Sequence, residues 1–119
     1  MKMMTVYAPE GMLGYGFPAS SLEEAMKHEP QVVAVDAGST DPGPYYLGSG
    51  TAFVSREMVK RDLSLILPAT RKQRVPFIIG SAGGAGGDPH LQWTIDIIRE
   101  VAVENNLHFR MAVIQGEIE

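Results

Sequence analysis

The sequence contains no cysteine, and its net charge is −4 over 119 residues. Without cysteine the chain has no disulfide, no thiol nucleophile and no cysteine-based zinc site, and a cytoplasmic location is permitted. The acidic balance argues against the basic face that nucleic-acid binding requires. No apolar run approaches the roughly 18 residues of a membrane span, and no signal peptide is recognisable at the start. We therefore expect a cytoplasmic protein with no nucleic-acid or membrane partner.

Glycine is the residue present in excess, with 13 copies beside 8 prolines. This share exceeds ordinary usage, yet the hydrophobic content of 45% is normal for a globular protein, so the excess does not indicate a disordered tail. A chain of this length forms one domain, which we predict to span residues 1–119.

Four segments have the continuous β-branched or apolar character of strands that are buried on both faces. They are Met3–Ala8, Gln31–Asp36, Val75–Ile79 and Phe109–Ile114. Three helical patterns lie between them and begin at Ser20 or Ser21, at Ser55 and at Pro89, with a kink or early end at Pro68. The alternation predicts an α/β fold, a three-layer α/β/α (Rossmann-like) domain. Its sheet is expected to have four parallel strands in the order 3-2-1-4.

All 13 glycines follow predicted strands, and none lies in a helical pattern or in a helix-to-strand return. Because the carboxyl ends of parallel strands meet at one edge, the glycines should crowd the edge where such sheets bind ligands. The connections at residues 9–19, 37–54 and 80–88 are long, as functional loops often are. The alternative is that glycine only satisfies left-handed turns.

The first connection contains Gly14-x-Gly16, a fragment of a dinucleotide-binding fingerprint. A full fingerprint needs another glycine opening a helix, so NAD binding is disfavoured, although Asp36 ends the second strand as a ribose-binding residue would. We retain Gly14 as a candidate ligand-binding residue.

The second connection is the richest in candidate chemistry. Asp36 sits at a strand tip, where burial would suit it to proton transfer or metal binding; the alternative is a structural aspartate that binds loop amides. Gly38, Ser39 and Thr40 offer amides and hydroxyls to an anion. Tyr45, in the pair with Tyr46, offers an apolar wall with a polar tip, although packing explains one of the two rings.

The third connection joins a buried strand to a strongly predicted helix. Ser81, Gly83 and Gly84 can form an anion site together with the helix N-terminus. The connection lacks the lysine of a P-loop, so nucleotide hydrolysis is not implied. His90 in the first helical turn suits a general base or a metal ligand, and the alternative is a surface histidine.

Metal binding stays open at this edge. A divalent ion is possible as cofactor, because oxygen ligands and one imidazole arrive there, but their spacing matches no named metal motif. These residues are Asp36, Asp41, Asp88, His90 and Glu117. None of the ten lysines and arginines lies within these loops, so amides, a metal or charges from elsewhere must hold an anion.

Three runs together resemble the amino-terminal region of the acyclic terpene utilisation protein A family. They are Gly11-Met12-Leu13-Gly14-Tyr15-Gly16-Phe17-Pro18, Val35-Asp36-Ala37-Gly38-Ser39-Thr40-Asp41-Pro42-Gly43-Pro44-Tyr45-Tyr46-Leu47-Gly48, and Ile79-Gly80-Ser81-Ala82-Gly83-Gly84 with Asp88-Pro89-His90. The resemblance implies the first portion of a longer metabolic enzyme. It also implies action on a carboxylate or acyl-CoA in breakdown of acyclic terpene-type compounds, and it supplies no catalytic residues.

Two other functions remain open. Asp36 to Thr40 also resembles the phosphate loop of actin-like kinases and ATPases, where the motif lies between antiparallel strands, whereas Pro42-Gly43-Pro44 follows here. The second alternative is a non-catalytic interaction domain. Because three helices cannot cover both faces of the sheet evenly, we also expect homo-oligomerisation or docking to further chain.

Overall fold

The computed structural model describes residues 1–118, which form an α/β fold on a sheet of three parallel strands. The strands pair in the order β1-β2-β3, with Val6 opposite Val32 and Val33 opposite Phe77. In chain order the elements are β1 (Val6–Tyr7), α1 (Ala19–Met26), β2 (Val32–Asp36), α2 (Tyr45–Ser49), α3 (Arg56–Gln73), β3 (Phe77–Gly80) and α4 (Asp88–Glu104).

The predicted four-stranded sheet and its order 3-2-1-4 are wrong. The segment Phe109–Ile114 forms no strand, although it has the composition of one. It lies on the β3 side of the sheet rather than beside β1, across an apolar cleft of about 440 Å³ from β3 and α4. A strand is defined by its ladder of hydrogen bonds, so apolar composition without an adjacent partner is not enough to make this segment a strand.

The predicted three layers are wrong as well, because the helices pack on one face of the sheet. Val33 and Val35 of β2 are buried in one core with apolar side chains of α1, α3 and α4. Side chains alternate along a strand, so the other face carries Val6 and Ile78, which are 55% and 57% exposed. Two right-handed crossovers in the order 1-2-3 place their helices on the same side, and the result has two layers.

The helices follow the predicted pattern with local differences. Ser55 accepts a hydrogen bond from the amide of Met58 (3.3 Å), which confirms the predicted cap of α3. The early end considered at Pro68 is wrong, since α3 continues to Gln73 with Pro68 inside it. Its buried stripe against the core extends beyond Pro68 and holds the helix together.

The start of α1 also differs from the prediction. Pro18 precedes the first helical residue, and neither Ser20 nor Ser21 caps the helix. Between residues 1 and 118, no helix combines the length and apolar character needed to cross a bilayer.

The connections that follow the strands are named here by position. Loop 1 comprises residues 8–18, loop 2 comprises residues 37–55 and includes α2, and loop 3 comprises residues 81–87. All three follow the carboxyl ends of parallel strands, as predicted from the positions of the glycines.

Candidate functional site

Loop 2 and loop 3 meet at the carboxyl edge of the sheet. A Cβ on Gly38 would lie only 2.3 Å from the carbonyl oxygen of Gly84, so these loops can touch only because residue 38 is glycine. Beside this contact lies a cavity of about 440 Å³, within the usual size of small-molecule sites. Its lining residues are Gly38, Thr40, Asp41, Pro42, Gly43, Pro44, Tyr46, Leu47, Phe53, Gly84 and Ala85.

Asp36 binds a backbone amide of its own loop, which is the structural role considered for it in the sequence analysis. Its side chain is exposed, and Oδ1 accepts a hydrogen bond from the amide of Gly38 (2.7 Å). Asp41 repeats this arrangement with the amide of Gly43 (3.0 Å). Both carboxylates therefore stabilise turns within loop 2, and Asp36 is not among the residues that line the cavity.

Ser39 and Thr40 connect loop 2 to loop 1. The Ser39 hydroxyl donates to the carbonyl of Gly11, and the Tyr15 hydroxyl donates to Thr40 Oγ1 (3.1 Å). Thr40 also lines the cavity, whereas Ser39 does not. Tyr45 is 69% exposed and packs edge-on against Tyr46, so the structure does not bring it into the cavity.

Loop 3 is a tight turn that packs against the start of α4. Ser81 has a φ of +49° and its carbonyl accepts the amide of Gly84 (2.9 Å). At Gly83, where φ is +70°, a Cβ would lie 2.6 Å from the Cβ of His90. Of the predicted residues in this loop, Gly84 lines the cavity, while Ser81 and Gly83 shape the turn behind it.

His90 is buried rather than a surface residue, with only 1% of its area exposed. Nε2 lies 2.9 Å from each of the carbonyl oxygens of Tyr46 and Thr51, so Nε2 must carry a hydrogen. Nδ1 is buried, and it has no hydrogen-bond partner among the described residues. In the neutral ring this nitrogen is an unused acceptor.

A carboxylate of the chain itself sits at the N-terminus of α4. Glu117 Oε1 accepts a hydrogen bond from the amide of Asp88 (2.8 Å), the first residue of this 17-residue helix. A Cβ on Gly87 would lie 3.1 Å from His90 Nδ1, 3.2 Å from Glu117 Oε1 and 3.2 Å from Leu47 Cδ1. The position of this Cβ is therefore close to the Glu117 carboxylate, to the unused Nδ1 of His90 and to the Leu47 side chain of the cavity wall.

Loop 1 is held by two acidic residues that sequence reasoning missed, Glu10 and Asp62. Asp62 is fully buried in α3, and Oδ2 accepts the amides of Gly14 (2.9 Å) and Gly16 (3.2 Å). Glu10 Oε2 accepts the same Gly16 amide (3.0 Å). Asp62 falls on the apolar stripe of the α3 pattern, and a charge at that phase was the signal that could have revealed it. Gly14 therefore binds Asp62 and is not among the residues that line the cavity.

The surroundings of Glu10 raise its pKa. Burial is the larger cause and the neighbouring Asp62 carboxyl the next, and together they bring the pKa of Glu10 to about 7. Tyr7, with its buried hydroxyl, has a raised pKa through burial and, secondly, through the charge of Glu10. The three groups form a cluster beneath loop 1 that is separate from the residues lining the cavity.

The five side chains predicted as possible metal ligands do not form one group, although His90 and Glu117 lie close to each other. Within residues 1–118, no three histidine, aspartate or glutamate side chains are arranged to hold a metal ion. Asp36 and Asp41 bind amides of their own turns, and Glu117 binds that of Asp88.

Comparisons with protein-family models, curated proteins and solved structures find no match to this chain. The resemblance to the acyclic terpene utilisation protein A family therefore stays a prediction.

Proposed function

We propose that the cavity between loop 2 and loop 3 binds a small carboxylate or acyl thioester, as the ligand-binding portion of a metabolic enzyme. One observation carries this proposal. The N-terminus of α4 holds a carboxylate, that of Glu117. Asp88, His90 and Glu117 do not line the cavity themselves, but Leu47 of the cavity wall lies beside the Glu117 carboxylate and His90 Nδ1 at Gly87. Backbone amides and the helix dipole favour an anion at such a position. A ligand carboxylate would use the same amide.

The walls of the cavity support a ligand with a short apolar part. Leu47, Tyr46 and Phe53 contribute apolar surface, and the rings of Tyr46 and Phe53 are in edge-on contact. Apolar walls with a few polar groups are typical of small-molecule sites. The resemblance drawn from the sequence implies the acyl class, and an acyl chain fits this combination.

His90 is our candidate for the group that acts on the bound anion. Its Nδ1 and Glu117 Oε1 lie 3.1 Å and 3.2 Å from the position that a Cβ on Gly87 would occupy. The Nε2 hydrogen is held by two carbonyls, which orients the ring and leaves Nδ1 free to accept a proton or hydrogen bond. Asp36 as a second proton-transfer group, a divalent cofactor and a cytoplasmic location stay predictions.

The alternative as an actin-like phosphotransferase has less support. It requires an antiparallel hairpin after Asp36, and all strand pairs in residues 1–118 are parallel. The chain after Asp36 instead enters a turn and α2. The alternative as a non-catalytic interaction domain stays a prediction.

An NMR titration of the ¹⁵N-labelled protein tests the proposal. Butyrate and butyryl-CoA are the probes, with inorganic phosphate as a second anion. We expect the amides of Gly84, Ala85 and Asp88 to shift with saturation. Leu47→Asp adds a like charge beside the site and should weaken binding by about tenfold, the effect of roughly 1.4 kcal/mol.

Val103→Asp is the matched control, because Val103 is exposed on α4 and far along the helix from its N-terminus. This variant should bind butyrate as the parent protein does. The absence of any saturable shift with millimolar probe would contradict the proposed function, and so would equal binding by the Leu47→Asp variant.

A further inference from the structure

A pair of carboxyl groups, those of Glu10 and Asp62, lies beneath loop 1 and has no part in the proposed ligand site. Gly16 offers one amide to two carboxylate oxygens, Asp62 Oδ2 at 3.2 Å and Glu10 Oε2 at 3.0 Å. The two carboxyl groups are therefore neighbours, and after burial Asp62 is the next cause of the raised pKa of Glu10. Two neighbouring carboxylates repel each other, and this repulsion disfavours the state in which both are ionised.

The charges around the pair do not balance two negative groups. Arg61 donates to Asp62 Oδ1 (2.8 Å) from the solvent side and stacks over the ring of Phe17. Glu10 Oε1 is buried, and no described N–H or O–H donates to it. The remaining titratable neighbour is Tyr7 on β1, whose buried hydroxyl also lacks a partner within residues 1–118. One cation thus faces two carboxyl groups.

Loop 1 also contacts loop 2 and the end of β2. The amide of Leu13 donates to the carbonyl of Asp36 (2.9 Å). Ser39 donates to the carbonyl of Gly11, and Tyr15 donates to Thr40, which lines the cavity. Two of these hydrogen bonds connect loop 1 to loop 2, and the third connects loop 1 to the end of β2, while loop 1 itself is bound to the carboxyl pair.

We propose that Glu10 and Asp62 form a proton-controlled latch, which holds loop 1 against α3 and thereby fixes the loop 2 wall of the cavity. With one shared proton the two carboxyl groups attract each other and both bind the amide of Gly16. Loss of that proton leaves two anions that repel each other at the shared amide of Gly16, and loop 1 detaches from Asp62 more often.

The direction of the pH dependence follows from the pKa of Glu10, which is raised to about 7 by burial and by Asp62. When the pKa of a carboxyl group is higher in the folded than in the unfolded state, protonation of that group stabilises the fold. The full stabilisation is present at pH values below the pKa of the unfolded state. This stabilisation is lost as the pH rises through about 7. The latch is therefore closed in mildly acidic solution and loosens above neutrality.

Hydrogen exchange of the Gly14 and Gly16 amides, measured by NMR between pH 5.5 and 8.5, tests the latch. After correction for intrinsic rates, we expect protection to fall by roughly tenfold or more, the factor of one pKa unit. Glu10→Gln removes the titration and keeps a donor toward Asp62, so its protection at pH 8.5 should match that of the parent protein at pH 5.5. Thr40 resonances should shift with the same midpoint in the parent protein.

Glu24→Gln is the matched control, because Glu24 is an exposed glutamate on α1 that pairs with Lys27. This variant should keep the pH profile of the parent protein. The ¹³C titration of the Glu10 carboxyl is an independent measurement on the unmodified chain and should have its midpoint near neutrality. An ordinary glutamate midpoint, pH-independent protection, or an unchanged profile in the Glu10→Gln variant would each overturn the latch.

Discussion

His90 shows how one residue can have a structural and a chemical role on different atoms. Nε2 satisfies the carbonyl oxygens of Tyr46 and Thr51, and Nδ1 has no partner within residues 1–118. The sequence placed this histidine in the first turn of a helix, where a surface position was an open alternative. Its burial depends on loop 2 folding over it, a contact between distant segments that no local pattern contains.

Substitution of His90 measures the structural role. His90→Leu leaves two carbonyl oxygens without their donor, and we expect the free energy of unfolding to fall by about 1–3 kcal/mol. Urea denaturation followed by circular dichroism measures the change. His90→Gln keeps a donor at the Nε2 position, so its free energy of unfolding should fall by less than that of His90→Leu.

His108→Leu is the control for that experiment, because His108 is exposed. Its free energy of unfolding should stay within about 0.5 kcal/mol of the parent protein. A His90→Leu variant as stable as the control would show that the two carbonyls do not depend on the imidazole.

At the scale of elements, the long helices α3 and α4 were predictable from the sequence, whereas the short helix α2 and the structure of the segment Phe109–Ile114 were not. α3 and α4 carry continuous apolar stripes, and their starts agree with the predicted ones to within one residue. The short helix α2 has no buried residue, so no periodicity could reveal it. The segment Phe109–Ile114 has strand composition, but hydrogen-bond pairing is a property of its neighbours and not of its own residues.

The N-terminus of α4 yields a prediction at this scale, which rests on the proposed function. Glu117 occupies the amide of Asp88 and competes with a ligand carboxylate. Glu117→Ala removes the competitor and should tighten butyrate binding severalfold, because the fraction of competent sites rises. Isothermal titration calorimetry of the parent protein and the variant measures the ratio.

Glu23→Ala, an exposed position on α1, is the control and should leave butyrate affinity unchanged. Equal affinity of the Glu117→Ala variant and the parent protein would contradict competition and leave ligand binding intact. Binding by neither protein would instead contradict the proposed function itself.

At the scale of the whole molecule, the parallel α/β character could be inferred from the alternation of elements, but the layers could not. The strand order decides whether right-handed crossovers place helices on one face or on both. Here the order β1-β2-β3 places them on one face. The carboxyl edge was predictable because it depends only on parallel strands, whereas the pairing of Glu10 with Asp62 depends on how loop 1 lies on α3.

The open face of the sheet leads to the last prediction, that this chain associates with a second copy of itself. Val6 and Ile78 are more than half exposed on that face, and parallel sheets are normally covered on both sides. A second copy would cover this apolar surface symmetrically. We expect the mass measured by light scattering to rise with concentration across the micromolar range.

Ile78→Glu places a charge at the centre of the proposed contact and should shift the protein to the monomer. Val103→Glu adds the same charge on the exposed surface of α4 and should associate as the parent protein does. Both substituted side chains are exposed, so neither change removes a core contact, and circular dichroism should give the same spectrum for both variants. A parent protein that stays monomeric at several hundred micromolar would contradict association through this face, and so would equal association of the two variants.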